Sequence, residues 1–219
     1  MKKSMRSMWL FVSVSLLAVS GAALRAQTAA PPSEIPDIQY EKYTLPNGLD
    51  VILSEDHRLP LTAVNLWYHV GPSNEEPGRT GFAHLFEHMM FQGSKHVASD
   101  AHFRILEGAG ASLINGTTDF DRTNYFETVP ANQLELALWI ESDRMGYLLD
   151  KVDRAALANQ QDVVRNERRQ GVENQPYGIA EEAMYHKLFP QTHPYYASVI
   201  GSHADIQAAR LDEVKKFFK

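Results

Sequence analysis

Cysteine is absent from all 219 residues. That excludes disulfides and lipid-modified cysteine, and it leaves nitrogen and oxygen as the only donors for any bound metal ion. Stability must therefore come from core burial, and the length suffices for one substantial domain, or one and a half. Positive charge is also scarce. The formal net charge is -6, which gives no electrostatic footprint for nucleic acid. Internal repeats and low-complexity domains are missing too.

One uncharged stretch stands out, Ser7 to Leu24. Lys2, Lys3 and Arg6 precede it, Trp9 to Val12 and Leu16 to Val19 form its apolar part, and small residues Ser20 to Ala23 follow. This order predicts a signal peptide over residues 1–26, cleaved after Ala26 or a few residues earlier. An uncleaved anchor fits less well, because the strongly apolar part falls short of a span of about 20 residues. The chain is expected to be exported, to the periplasm or beyond. Residues 27–38 (QTAAPPSEIPDI) read as a flexible leader, and 39–219 as the folded domain.

Tyr40 to Leu45 and Leu49 to Leu53, joined by Pro46-Asn47-Gly48, predict a hairpin with an Asn-Gly turn. Thr62 to Val70 is rich in β-formers and reads as a central strand. A short helix is expected over Ser99–Glu107, capped by Ser99 or Asp100. Ala111 to Thr117 and Asn124 to Val129 read as antiparallel neighbours, followed by helices near 131–148, 153–172, 178–188 and 203–218. In the last of these, Ile206, Leu211, Val214, Phe217 and Phe218 share an apolar side. An apolar helix that closes the chain at Lys219 suggests a portion of a longer protein. The fold class is α+β, with a mixed, mainly antiparallel sheet packed against helices.

The chemistry concentrates in Gly81 to Phe91, GFAHLFEHMMF. If this run is helical, His84 and His88 lie about 40° apart around the axis and one turn apart along it, near enough to hold one ion. Glu87 falls about 60° to the other side of His84. Ala83, Leu85, Phe86, Met89, Met90 and Phe91 make the segment a buried helix, in which imidazoles and a carboxylate are costly without a partner. Two imidazoles beside a carboxylate are the donor set of a zinc hydrolase: ligands for the ion and a base for its bound water. The order H-x-x-E-H inverts the commoner H-E-x-x-H and defines the inverzincins.

A catalytic zinc takes three protein ligands and keeps a fourth position open. In Asp162 to Arg169 (DVVRNERR), Val163 and Val164 precede Glu167 by one helical turn. Glu167 is thus expected on a buried face, with Arg165, Arg168 and Arg169 pointing elsewhere. Glu127, Glu141, Glu173, Glu181 and Glu182 remain competitors on these grounds.

From about Leu45 onward the chain resembles the pitrilysin/insulinase family of zinc metallopeptidases, more particularly its bacterial processing-peptidase-like branch. The resemblance rests on PNGLDVIL, VGPSNEEPGRTGFAHLFEHMMFQGS, INGTTDFDRTNYFETVP and VVRNERRQGVENQPYG, in that order. It implies an N-terminal catalytic domain binding one zinc ion through His84, His88 and Glu167, with Glu87 as catalytic base. Some relatives carry a glutamate two turns before the third ligand; here Gln160 stands there, able to hydrogen-bond near the site but not to carry charge. The resemblance further implies a peptide substrate added as a strand beside the zinc helix, along Ala111 to Gly116, with Asn115 available to bind its backbone. It also implies a second homologous half, in the same longer chain or in a partner subunit. The expected function is zinc-dependent endopeptidase activity on peptides or unfolded segments. The alternative is a non-catalytic structural or substrate-capturing subunit of a two-chain assembly, which would have no need of both histidines and Glu87.

Overall fold

The computed structural model describes residues 37–219. The expected signal peptide and nearly all of the expected leader lie outside the described residues. The chain divides into two compact units at Asp56/His57. In the first, β1 (Glu41–Thr44) and β2 (Asp50–Leu53) form an antiparallel hairpin pairing Glu41 with Leu53 and Thr44 with Asp50. Gly48 takes φ +89° in the turn, where a side chain would be strained, and Asn47 Oδ1 accepts the Leu49 N–H at 3.2 Å.

The second unit is built on a three-stranded antiparallel sheet of β3 (Leu61–Tyr68), β4 (Ser112–Asp119) and β5 (Arg122–Pro130), in the order β3-β5-β4. β5 is therefore the central strand, and β3, expected in the middle, lies at an edge among the described residues. β3 is only partly covered, and its Trp67 is exposed, with the Arg122 guanidinium 5.3 Å from the ring centroid. The period of two along β5 turns Thr123, Tyr125, Glu127 and Val129 to one covered face. β4 carries a bulge: pairing moves from Ser112–Thr128 to Asn115–Phe126, and Leu113 between them takes φ +52°.

The helices are α1 (Phe82–Met89), α2 (Ala101–Gly108), α3 (Leu134–Tyr147), α4 (Arg154–Arg168), α5 (Ala180–Leu188), α6 (His203–Ala208) and α7 (Leu211–Phe217); α1, α2 and α3 pack on the sheet, α4 and α7 on α1, and α6 on α4. None of the described helices is long and apolar enough to cross a membrane. One core cluster gathers Leu85 and Met89 of α1 with Tyr125, Leu157, Val164, Ile206 and Val214. A second gathers Val64, Leu106, Val129, Ala137 and Ile140. Each fully buried Leu, Ile or Met contributes about 1.5–3 kcal/mol, so Leu85 and Met89 anchor α1 in the first of these clusters.

Two local expectations are corrected. Asp100 does occupy the residue before α2, but in a left-handed conformation (φ +58°), and its side chain caps nothing. The helix expected at the C-terminus is two helices. Gln161 Nε2 donates to the carbonyls of Ile206 and Ala209 at 2.7 and 3.0 Å, the chain extends at Arg210, and Glu213 accepts the Arg210 N–H to start α7. Arg168 points elsewhere than Glu167, as expected, and is buried, binding Glu173, Glu182 and the Gly201 carbonyl at 3.1, 2.8 and 2.8 Å.

Candidate metal centre

The site begins with how α1 starts. Gly81 precedes the helix at φ +85°, and the carboxylate of Glu75, reaching from the preceding loop, accepts the N–H groups of Gly81 (3.0 Å) and Ala83 (2.8 Å). A side chain thus satisfies donors that a buried helix start would leave orphaned. Burial pushes the Glu75 carboxyl up to about 7 despite those N–H groups. Thr80 is tied to Asp205 through its own N–H and hydroxyl, and its Oγ1 accepts the Ser202 N–H at 3.0 Å. Gly201 packs so closely on Gly81 that a Cβ would fall 2.4 Å from the Gly81 Cα.

From this helix His84 and His88 project together, with their Nε2 atoms 3.3 Å apart and ring planes at 82°. Glu167 arrives from α4, whose N-terminus is capped by Asp153 (2.8 Å to the Ala156 N–H) and whose Leu157, Gln160 and Val164 stripe is buried. Glu167 Oε2 lies 3.3 Å from His88 Nε2 and 3.8 Å from His84 Nε2. Among the described residues this is the one group of three such side chains whose donor atoms converge, all within 4.8 Å. The Glu167 side chain is 44 % exposed, so the expectation that it sits on a buried face needs correcting: it lies at the margin of the buried stripe.

The donor set fits a zinc ion. Three atoms each about 2.0–2.1 Å from one ion at tetrahedral angles stand roughly 3.3–3.4 Å apart, close to the spacing found here. Burial, reinforced by His88, pulls the His84 imidazole down to about 4, so it is neutral at physiological pH, as a ligand must be. His88 Nδ1 lies 3.2 Å from Gln160 Oε1, an acceptor that keeps the proton on Nδ1 and frees the Nε2 lone pair. Gln160 is itself buried, so the position singled out in the sequence does touch the site.

Glu87 stands outside this trio, and its carboxylate reaches β4. Its Oε2 accepts the Thr118 hydroxyl at 2.5 Å, and its Cγ and Oε1 lie against Gly116, where a Cβ would come within 3.0 and 3.1 Å. Burial pushes the carboxyl above its ordinary value, with Thr118 and His88 pulling it back. Glu87 and His84 line a cavity of about 280 Å³ with Gly116, Thr117, Thr118, Val199 and Ile200. Sequence reasoning missed Thr118, Val199 and Ile200. Thr118 had a signal, since it shares a strand face with Gly116; Val199 and Ile200 arrive through tertiary packing alone.

Asn115 Oδ1 accepts the N–H of the next residue, Gly116, at 2.9 Å. Among the described residues no strand pairs with the outer edge of β4. The competing glutamates lie elsewhere. Glu127 and Glu141 are buried with Arg144 in the core, Glu173 and Glu182 pair with Arg168, and Glu181 is exposed on α5.

The family described as Insulinase (Peptidase family M16) matches residues 50–201, well over half of the chain. The zinc protease PqqE of Helicobacter pylori is 32% identical over 210 residues, covering 94% of this chain and 44% of the relative. The crystal structure of a protease from Helicobacter pylori superposes with a TM-score of 0.78 at 30% identity, over 83% of this chain and 43% of that one. The first half of the periplasmic protease PqqL from Escherichia coli gives a TM-score of 0.71 at 21% identity, over 82% and 39% of the two chains, and carries the fold alone. The chain spans under half the length of these relatives.

Proposed function

The chain belongs to the insulinase family, peptidase family M16, and on that premise we propose that residues 39–219 form most of the N-terminal catalytic half of an exported zinc endopeptidase. The observation that carries this reading is the convergence of His84, His88 and Glu167 beside a second carboxylate, Glu87, that stands outside the trio. The first three would hold the ion. Zinc bound there supplies Lewis acidity, acidifying water and polarising a peptide carbonyl.

The remaining work falls to the chain's own groups. Glu87 takes a proton from water in the cavity and returns it to the leaving amine. Gln160 fixes the His88 tautomer. The outer edge of β4 offers an extended peptide the backbone donors and acceptors of a sheet edge, with the Asn115 amide nitrogen beside it. Such an edge reads backbone rather than side chains, which suits peptides and unfolded segments as substrates.

Export is supported by the basic, apolar and small-residue order of the first 26 residues. A second homologous half, in the same chain or a partner subunit, is supported by relatives about twice as long. The rival reading, a non-catalytic subunit, leaves the intact His84, Glu87 and His88 without a purpose. Hydrolysis of an unfolded polypeptide by the intact gene product, wild type beside Glu87→Gln, tests the proposal. The variant should keep its metal and lose hydrolysis; unchanged turnover would remove Glu87 from the reaction.

A further inference from the structure

β4 presents two side-chain positions to α1, Gly116 and Thr118, two residues apart and therefore on one face of the strand. Both touch Glu87. At Gly116 the absence of a side chain lets the carboxylate lie flat on the strand, since a Cβ there would crowd Glu87 Cγ and Oε1 at 3.0 and 3.1 Å. At Thr118 the hydroxyl reaches Glu87 Oε2 at 2.5 Å.

A threonine hydroxyl has one proton to give. A second hydroxyl, Thr123 Oγ1, lies 3.4 Å from Thr118 Oγ1, but its own proton goes to the Val70 carbonyl at 2.9 Å. The Thr118 proton is left for Glu87. The β-branch restricts its rotamer, so the direction of donation is fixed by the strand. The strand is anchored in turn. The β4–β5 turn is held where Ser73 N–H donates to the Phe120 carbonyl at 2.9 Å and where the Tyr195 hydroxyl binds Asp121. Gly71 lies so close under the turn that a Cβ would meet the Asp119 carbonyl oxygen at 2.3 Å.

We propose that Thr118 is a positioning residue for Glu87: its hydroxyl holds Oε2, so that Oε1 is the oxygen that exchanges protons in the cavity. This rests on the reading of Glu87 as the base. Without the anchor the flexible glutamate samples rotamers in which neither oxygen is aimed correctly, and the loss falls on the chemical step rather than on substrate or metal binding.

The test compares wild type, Thr118→Val, Thr118→Ser and Glu87→Gln in the intact, zinc-loaded protein, reading kcat, KM, zinc content and thermal unfolding. Removing a hydrogen bond to a charged group should lower kcat of Thr118→Val about 10- to 100-fold. KM should stay within about twofold and zinc content should not change. Thr118→Ser should recover most of the loss. Thr118→Val in the Glu87→Gln background should cost nothing further, because the two act as a unit. If valine disturbs folding, Thr118→Ala replaces it. An unchanged kcat, a serine variant as slow as valine, or a loss tracking zinc content would each overturn the proposal while leaving the peptidase reading intact. An inactive wild type would overturn that reading and this proposal with it.

Discussion

Gln160 Oε1 stands 3.2 Å from His88 Nδ1, so one hydrogen bond between α4 and α1 decides which imidazole nitrogen turns its lone pair toward His84 and Glu167. Partners of this kind commonly govern metal affinity 10- to 100-fold. Gln160→Leu, which keeps bulk and removes the acceptor, should weaken zinc binding by roughly that factor. Gln160→Glu should bind at least as tightly as wild type. Chelator competition measures both, and equal affinities for Gln160→Leu and wild type would show that the contact is idle.

Glu75 is the helix start's main polar support, accepting the N–H groups of Gly81 and Ala83. Glu75→Ala leaves both donors without it, at a cost of about 1–2 kcal/mol. Urea denaturation should resolve this. Glu75→Gln, which retains an acceptor, should lose less. Alanine and wild-type proteins of equal stability would mean that the helix start satisfies itself by other means.

A stability prediction with a pH sign comes from the core. Glu127 and Glu141 face each other's charge with one guanidinium, Arg144, which binds Glu141 Oε2 through Nε at 2.8 Å. No N–H or alcohol hydroxyl donates to either Glu127 oxygen among the described residues, and its carboxyl lies within hydrogen-bond reach of Glu141. Burial, then the Glu141 charge, pushes Glu127 up to about 8, and burial raises Glu141 as well. A carboxyl raised in the folded state is neutral in both states at low pH. Its contribution is thus fully present below the ordinary value of 4.5 and is lost as pH rises toward about 8. Stability should therefore decline across that window in wild type, and Glu127→Gln should flatten the decline. Denaturation midpoints of the two proteins against pH measure it; parallel curves would contradict the assignment.

Much of the fold and the site could be read before any coordinates. The Asn47-Gly48 turn, the buried α1, and the antiparallel pairing of β4 with β5 follow from local chemistry: a left-handed glycine, helical spacing of apolar residues, and alternation. His84 and His88 needed only a helix to converge. Glu167 needed the packing of α4 on α1, which periodicity suggested and the family resemblance named. Other features depend on tertiary contacts that no local pattern contains. β3 is as rich in β-formers as β5, so nothing in it says that it sits at the edge. The break at Arg210 is enforced by Gln161, many residues away, which captures the α6 carbonyls. The burial of Arg168 depends on Glu173, Glu182 and Gly201, brought around it by tertiary packing. Glu127 was partly legible, because alternation along β5 already turns it inward with Tyr125 and Val129. Its raised carboxyl was not, since that depends on Glu141 and Arg144 of α3.

Metal content tests the assignment of the centre most directly. The intact protein, purified and equilibrated with zinc, should hold one ion in this half, as should Glu87→Gln. His84→Ala and His88→Ala should hold essentially none at equal total zinc, and Glu167→Ala should fall with them, because each removes a donor from a set of three. Stoichiometric zinc in Glu167→Ala or in the His84→Ala/His88→Ala double variant would contradict it.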